Sequence, residues 1–184
     1  MALSQAAAKT IMKQLAEIQS APIDGVALKP TDELQEVEAE IKGPEDTPFA
    51  GGVFAVSLIL GESYPAEPPR GYFKTKLFHP NVSEKGEICV NTLKRDWNPT
   101  LGLRHVLTVI RCLLIEPNPE SALNEEAGRL LLEDYNEYHK RAKMCTQVHA
   151  MPATLRPAED TNIVGVAPDA KKTADKKRAA LKRL

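Results

Sequence analysis

Cysteine is scarce. The chain has 184 residues and three cysteines, Cys89, Cys112 and Cys145, with no C-x-x-C pair among them. An odd, widely spaced set argues against a disulfide framework and against a zinc site. It points to a reducing compartment, the nucleus and cytoplasm. Glycine is also sparse, at 10 residues without a three-residue period, which excludes a collagen-like chain. No apolar run approaches the roughly 18 residues that span a bilayer. The first residues, Met1-Ala2-Leu3-Ser4, lack the basic and apolar stretches of a secretory signal. A G-x-x-x-x-G-K-[ST] phosphate loop and an H-E-x-x-H zinc motif are both missing, so neither ATP chemistry nor a resident metal is indicated.

What is present suits a soluble globular domain: 42% hydrophobic and 27% charged residues. The net charge is −1, yet residues 171–184 hold seven Lys/Arg against one Asp, a net of +6, which leaves −7 on the rest. A basic segment on an acidic body reads as an interaction tail. The expected organisation is a folded core at 1–150, a linker at 151–170 and a basic interaction tail at 171–184.

The core reads as α+β. Ile11, Leu15 and Ile18 recur at helical spacing within Ser4 to Ile18, and Pro22, Asp24 and Gly25 stop that helix. Period two then takes over. Leu34 to Ile41 alternates apolar and acidic residues, and Gly52 to Leu60 and Gly71 to Leu77 are two further strands. A short strand at Gly25 to Lys29 precedes them, giving a four-stranded antiparallel meander. Tyr64-Pro65-Ala66-Glu67-Pro68-Pro69 forbids a central strand, and Tyr64-Pro65 is a candidate cis bond. His79 to Thr100 has little periodicity and reads as a long active-site loop. Leu103, Val106, Leu107, Ile110, Leu113 and Leu114 mark a buried helix that Pro117-Asn118-Pro119 ends. Ser121 is the expected N-cap of the next helix, and a last helix runs from Asp134 to Val148. A flexible basic tail follows.

Among the cysteines, Cys112 falls within the apolar helix and reads as a small buried hydrophobe, and Cys145 as core or surface filler. Cys89 alone lies in the irregular loop. A thiol nucleophile usually needs a base or a positive field. His79 lies ten residues upstream, so a Cys-His hydrolase is one reading. No orienting third residue is marked, and a structural His79 is the simpler one.

His79-Pro80-Asn81, then Cys89, then Trp97 at matching intervals, together with Tyr64-Pro65-x-x-Pro68-Pro69 and Pro117-Asn118-Pro119, resemble the ubiquitin-conjugating (ubiquitin carrier) enzymes over residues 5–149. Gly86-Glu87-Ile88-Cys89-Val90-Asn91, Leu93-Lys94-Arg95-Asp96-Trp97, the run Pro117 to Arg129 and the ending Leu181-Lys182-Arg183-Leu184 are similar to the S subtype. The resemblance implies that Cys89 accepts ubiquitin from an activating enzyme as a thioester, and that a lysine amine then attacks it. No cofactor is bound, and ATP is used by the activating enzyme upstream. Asn81 is the implied oxyanion donor or loop brace, and His79 orders the loop.

The departures from the family pattern also carry expectations. Ser121 stands where many relatives have an acid, which implies that the acceptor ubiquitin supplies the carboxylate and makes the reaction selective for one lysine. Asn91 stands where many have Asp. Ala66 replaces a Phe, and Asn98-Pro99-Thr100 replaces Ser-Pro-Ala, so Ala66 and Pro99 form an altered ligase-contact surface with weaker docking. In the S subtype a basic tail docks on the anaphase-promoting complex. Here Leu181, Lys182, Arg183 and Leu184 are the implied contacts, and tethering raises effective concentration. The competing readings are an inactive carrier-like adaptor for ubiquitin or a ligase, the cysteine hydrolase, and a nucleic-acid module led by the tail. The resemblance disfavours nucleic acid and implies no membrane.

Overall fold

The computed structural model describes residues 4–95 and 97–152. The expected linker beyond Pro152, the tail at 171–184 and its contacts Leu181 to Leu184 lie outside the described residues, as does Asp96.

Helix α1 spans Gln5–Ser20, and the Ser4 hydroxyl caps it by accepting the Ala7 N–H at 3.1 Å. Its buried stripe is Ala7, Ile11 and Ile18. Strands β1 (Val26–Lys29), β2 (Glu36–Lys42), β3 (Val53–Ile59) and β4 (Arg70–Phe73) then pair in sequence order, all antiparallel. The alternation read from the sequence holds. Val37, Ala39 and Ile41 of β2 turn inward with Phe54, Val56 and Leu58 of β3. Glu36, Glu38 and Glu40 turn outward, where Lys74 meets Glu36 at 3.1 Å and also pairs with Glu38, and Lys29 meets Glu40 at 3.0 Å. The inward face packs against α3 (Gly102–Ile115) through Leu103, Val106, Leu107, Ile110 and Leu114, and against Ile11 of α1. Burying a side chain of this size contributes about 1.5–3 kcal/mol. Helices α4 (Glu125–Glu133) and α5 (Tyr135–His149) close the far end, and the Ala150 carbonyl accepts the Val53 N–H at 2.8 Å.

The Tyr64-Pro65 bond is cis. Several expectations need correction. The strand expected at Gly71 to Leu77 stops at Phe73, because the N–H groups of Lys74 and Thr75 both turn to the Ala55 carbonyl, at 2.8 and 3.4 Å, and the ladder ends there. Cys112 is exposed, not buried. It sits two residues from Ile110 and five from Leu107, which puts it across the helix from the apolar stripe. Ser121 does not cap α4. Asn124 does, accepting the Ala127 N–H at 3.0 Å, while Ser121 closes a 3-10 turn at Pro119–Ser121. The loop from His79 to Thr100 also contains a short helix, α2 (Val90–Lys94), too brief to leave a periodic signal.

Candidate active site

Cys89 is held by main chain from both sides. Upstream, β4 bonds to the segment before it: the Phe73 N–H donates to the Gly86 carbonyl at 2.8 Å, and the Ile88 N–H to the Gly71 carbonyl at 2.9 Å. Gly86 has φ +86°, and a Cβ there would lie 2.2 Å from the Phe73 carbonyl oxygen, so this turn requires glycine. The Cys89 N–H donates to the Asn81 carbonyl at 3.0 Å. Downstream, the Cys89 carbonyl accepts the N–H groups of Thr92 and Leu93, at 3.1 and 3.3 Å, as α2 begins. Cys89 is 6% exposed, and its sulfur caps nothing. The seat is built without use of the thiol.

His79 is fully buried. Its Nδ1 accepts the Asn81 N–H at 3.0 Å, which makes Nε2 the protonated nitrogen, donating to the Leu113 carbonyl at 2.8 Å. Burial pushes its pKa down from 6.5 to about 4, only partly opposed by the bond to Leu113. The ring is therefore neutral at pH 7 with both nitrogens engaged. The Cys89–His79 hydrolase reading has no free base in this arrangement.

Asn81 has no exposed surface. Its amide hydrogens donate to the carbonyls of Asn118 at 2.6 Å and Ser121 at 3.0 Å, and its Oδ1 accepts the Asn118 N–H at 2.8 Å. Beside it, the Pro80 carbonyl accepts the N–H groups of Leu123 and Asn124, at 2.8 and 3.0 Å. His79, Pro80 and Asn81 thus tie the loop that carries Cys89 to the end of α3 and to the arch at 118–124. Ser121 is brought to the arch, half-buried, and Glu120 beside it is exposed. Both donors of Asn81 are spent on this brace.

Ala66 and Pro99 are exposed on neighbouring loops. The Trp97 indole N–H donates to the Pro65 carbonyl at 3.1 Å, and the Trp97 ring lies 6.0 Å from Tyr64. The Tyr64 hydroxyl donates to Gln14 Oε1, which also accepts the Leu103 N–H at 3.2 Å. Burial, partly offset by that bond, raises the Tyr64 pKa to about 12. Gln14 joins α1 to both loops and caps α3, whose own N-cap, Leu101, offers no side chain for the purpose. Sequence reasoning missed Gln14, because a polar residue on a helix gives no sign of distant partners.

Under the loop lies an open cleft bounded by Lys74 to Phe78, Ser83 to Gly86, the start of α4, and Arg141 and Cys145 of α5. The Cys145 thiol is half-buried, 3.8 Å from the Lys76 carbonyl, and burial raises its pKa. That environment disfavours the nucleophilic thiolate. Among the described residues, no group of three or more His, Cys, Asp or Glu is placed to hold a metal.

The family model for ubiquitin-conjugating enzymes matches residues 10–146. The chain is similar to Ubiquitin-conjugating enzyme E2 S-C of Xenopus laevis, 52% identical over 188 residues, covering 95% of this chain and 89% of that protein. It is 58% identical over 147 residues to Ubiquitin-conjugating enzyme E2 S of Danio rerio, covering 79% of this chain and 66% of that one. With Ubiquitin-conjugating enzyme E2 S of Homo sapiens it shares 56% identity over 142 residues, 77% of this chain and 64% of that one.

Proposed function

The chain belongs to the ubiquitin-conjugating enzyme family, in its S subtype, a family of transferases whose partners are ubiquitin and its activating enzyme, and on that premise we propose that Cys89 carries ubiquitin as a thioester. The Cys89 thiolate attacks the thioester carbonyl on the activating enzyme, whose own thiol leaves. A lysine amine then attacks the new thioester, the C–S bond breaks toward Cys89, and the amine's surplus proton passes to the thiolate or to solvent. The product is an isopeptide bond. Aminolysis needs a neutral amine, yet a free lysine has a pKa of about 10.4. Close to neutral pH on the order of one in 10³ is ready, so desolvation and orientation at the arch have work to do.

The observation that carries this reading is the seat of Cys89, fixed by main-chain bonds beside a saturated His79-Asn81 brace and free of any structural duty for the thiol. The reading extends to linkage-specific chain elongation with the anaphase-promoting complex. Residues 1–150 act as the catalytic core, 151–170 as the linker and 171–184 as the docking tail, with Leu181, Lys182, Arg183 and Leu184 as contacts. Ala66 and Pro99 form a second, weaker ligase contact; their exposure on loops joined by Trp97 supports it. Ser121 itself brings no carboxylate, and on this reading the acceptor ubiquitin supplies one, with the exposed Glu120 beside Ser121 as the competing source within the chain. ATP is consumed upstream, and the work is done in the nucleus and cytoplasm.

The test mixes the chain with activating enzyme, ATP and ubiquitin and resolves the product on a non-reducing gel. A reductant-sensitive adduct of one ubiquitin, converted by Cys89→Ser to a reductant-resistant ester or to nothing, is the expected result. No adduct from folded protein with a verified activating enzyme removes the proposal in favour of a different modifier or an adaptor.

A further inference from the structure

The open cleft under the loop has a volume of about 850 Å³. Two of its cations are already committed, Lys74 to Glu36 and Glu38, and Arg141 to Glu126. Lys76 and Lys85 are exposed and make no ion pair among the described residues. The same holds for Glu84 and Glu125, so the free charge of the cleft is mixed in sign. The main chain contributes as well. Leu77 lies in the extended stretch between β4 and His79, and neither its N–H nor its C=O has a partner among the described residues. Its side chain is half-buried against the core, and Leu123, from the arch, lines the cleft while 44% exposed. An extended peptide meets all three conditions. Its backbone pairs with Leu77, its charges answer both signs, and its apolar side chains cover Leu77 and Leu123.

The chain carries such a peptide close by. Cys145 of α5 lines the cleft, and Pro152, the last described residue, follows it by seven. Beyond Pro152, Arg156, Glu159 and Asp160 carry both signs of charge, and Ile163-Val164-Gly165-Val166 holds three β-branched residues. The basic segment 171–184 would answer only half of the free charge. Glu159 stands seven residues past Pro152, and seven extended residues span up to about 24 Å, enough to lead back along α5 to Cys145. We propose that residues 156–166 dock in this cleft as an extended strap, Glu159 and Asp160 facing Lys76 and Lys85, and Ile163 to Val166 lying on Leu77 and Leu123. The free spacer then shrinks to 167–170. The basic segment starts four residues from the cleft instead of eighteen from Pro152. Its reach is set by the walls that also carry the Cys89 loop and the arch. The strap stands or falls independently of the thioester chemistry.

Cys145 reports whether the cleft is filled, and Cys112, on the outer face of α3, is the internal clock. The full chain is treated with iodoacetamide at fixed pH, and each cysteine is followed by peptide mass mapping. A strap docked about nine-tenths of the time slows Cys145 about tenfold. Glu159→Lys with Asp160→Lys should release that protection, as should Ile163→Asp with Val164→Asp in a separate chain. In each, Cys145 alkylation should rise about tenfold relative to Cys112, at an unchanged thermal midpoint. Rates within about twofold of the parent in both variants overturn the inference. Protection that grows with protein concentration also overturns it, because a second copy is then the occupant. So does an equal release by Lys176→Glu, Lys177→Glu and Arg178→Glu together, which would give the cleft to the basic segment.

Discussion

The two sides of Cys89 are built differently. Upstream, His79, Pro80 and Asn81 are buried or turned inward, and their polar groups are matched to Leu113, Asn118, Ser121, Leu123 and Asn124. Downstream, Val90, Asn91, Lys94 and Arg95 face solvent. The upstream side resembles a core in which each group has one permitted partner. The downstream side keeps its side chains available. A buried amide that has satisfied its donors is a structural part, whatever its distance from the nucleophile.

The sharpest way to break this contrast is Asn81→Ala. It leaves the Asn118 N–H and the Ser121 carbonyl without the amide that pairs with them, and the Asn118 carbonyl with only the long bond from the Ser121 N–H, 3.4 Å. The expected cost is about 3 kcal/mol, with a thermal midpoint lower by roughly 10 °C, read by calorimetry. A variant with parental stability would mean that the arch is not braced by Asn81.

His79 gives the next effect, through pH. Its folded pKa of about 4 lies below the unfolded 6.5, so between those values the unfolded chain binds a proton that the folded chain refuses. Stability from this group is therefore complete above pH 6.5. It falls by up to about 1.4 kcal/mol per pH unit as pH drops toward 4, roughly 3 kcal/mol in all. Denaturant titrations at pH 7 and pH 5 should show the decline, and His79→Gln should flatten that part of it. An unchanged slope in the variant would show that the imidazole is not buried neutral.

Gln14→Ala tests the other braced joint. Losing the bonds from Tyr64 and Leu103 should cost about 1–2 kcal/mol, and Gln14→Glu, which keeps both acceptor bonds, should restore most of it. Equal damage from both variants would point to packing around Gly102 rather than hydrogen bonding. The smallest effect belongs to Cys112→Ser, within about 0.5 kcal/mol of the parent, because the side chain is on the outer face of α3. In the native protein Cys112 should also alkylate ahead of Cys145. The reverse order would put Cys112 back in the core.

The sequence carried the sheet because period two is strong where one face is wet and acidic: Glu36, Glu38 and Glu40 mark their strand as plainly as Val37, Ala39 and Ile41 do. It carried α3 through a six-residue apolar stripe. It singled out Cys89 as the cysteine in an irregular segment. What it did not carry were properties set by distant partners. The end of β4 depends on a two-to-one bond to Ala55, and the cap of α4 on the Pro80 carbonyl drawing Leu123 and Asn124 into place, which leaves Ser121 outside the helix. The commitment of Asn81 to the arch depends on Asn118 and Ser121, some forty residues away. Cys112 was misjudged for a local reason: an apolar helix still has an outer face.

The seat of Cys89 is made of backbone from Gly71, Phe73, Asn81, Gly86 and Ile88, and no bond in it ends on sulfur. The socket is therefore indifferent to what it holds. On the thioester reading, serine in that place would meet the same carbonyl and give an ester that outlasts a thioester. Exchanging one atom, sulfur for oxygen, would then turn the chain into its own trap for the ubiquitin-bound state while the backbone around it stays the same.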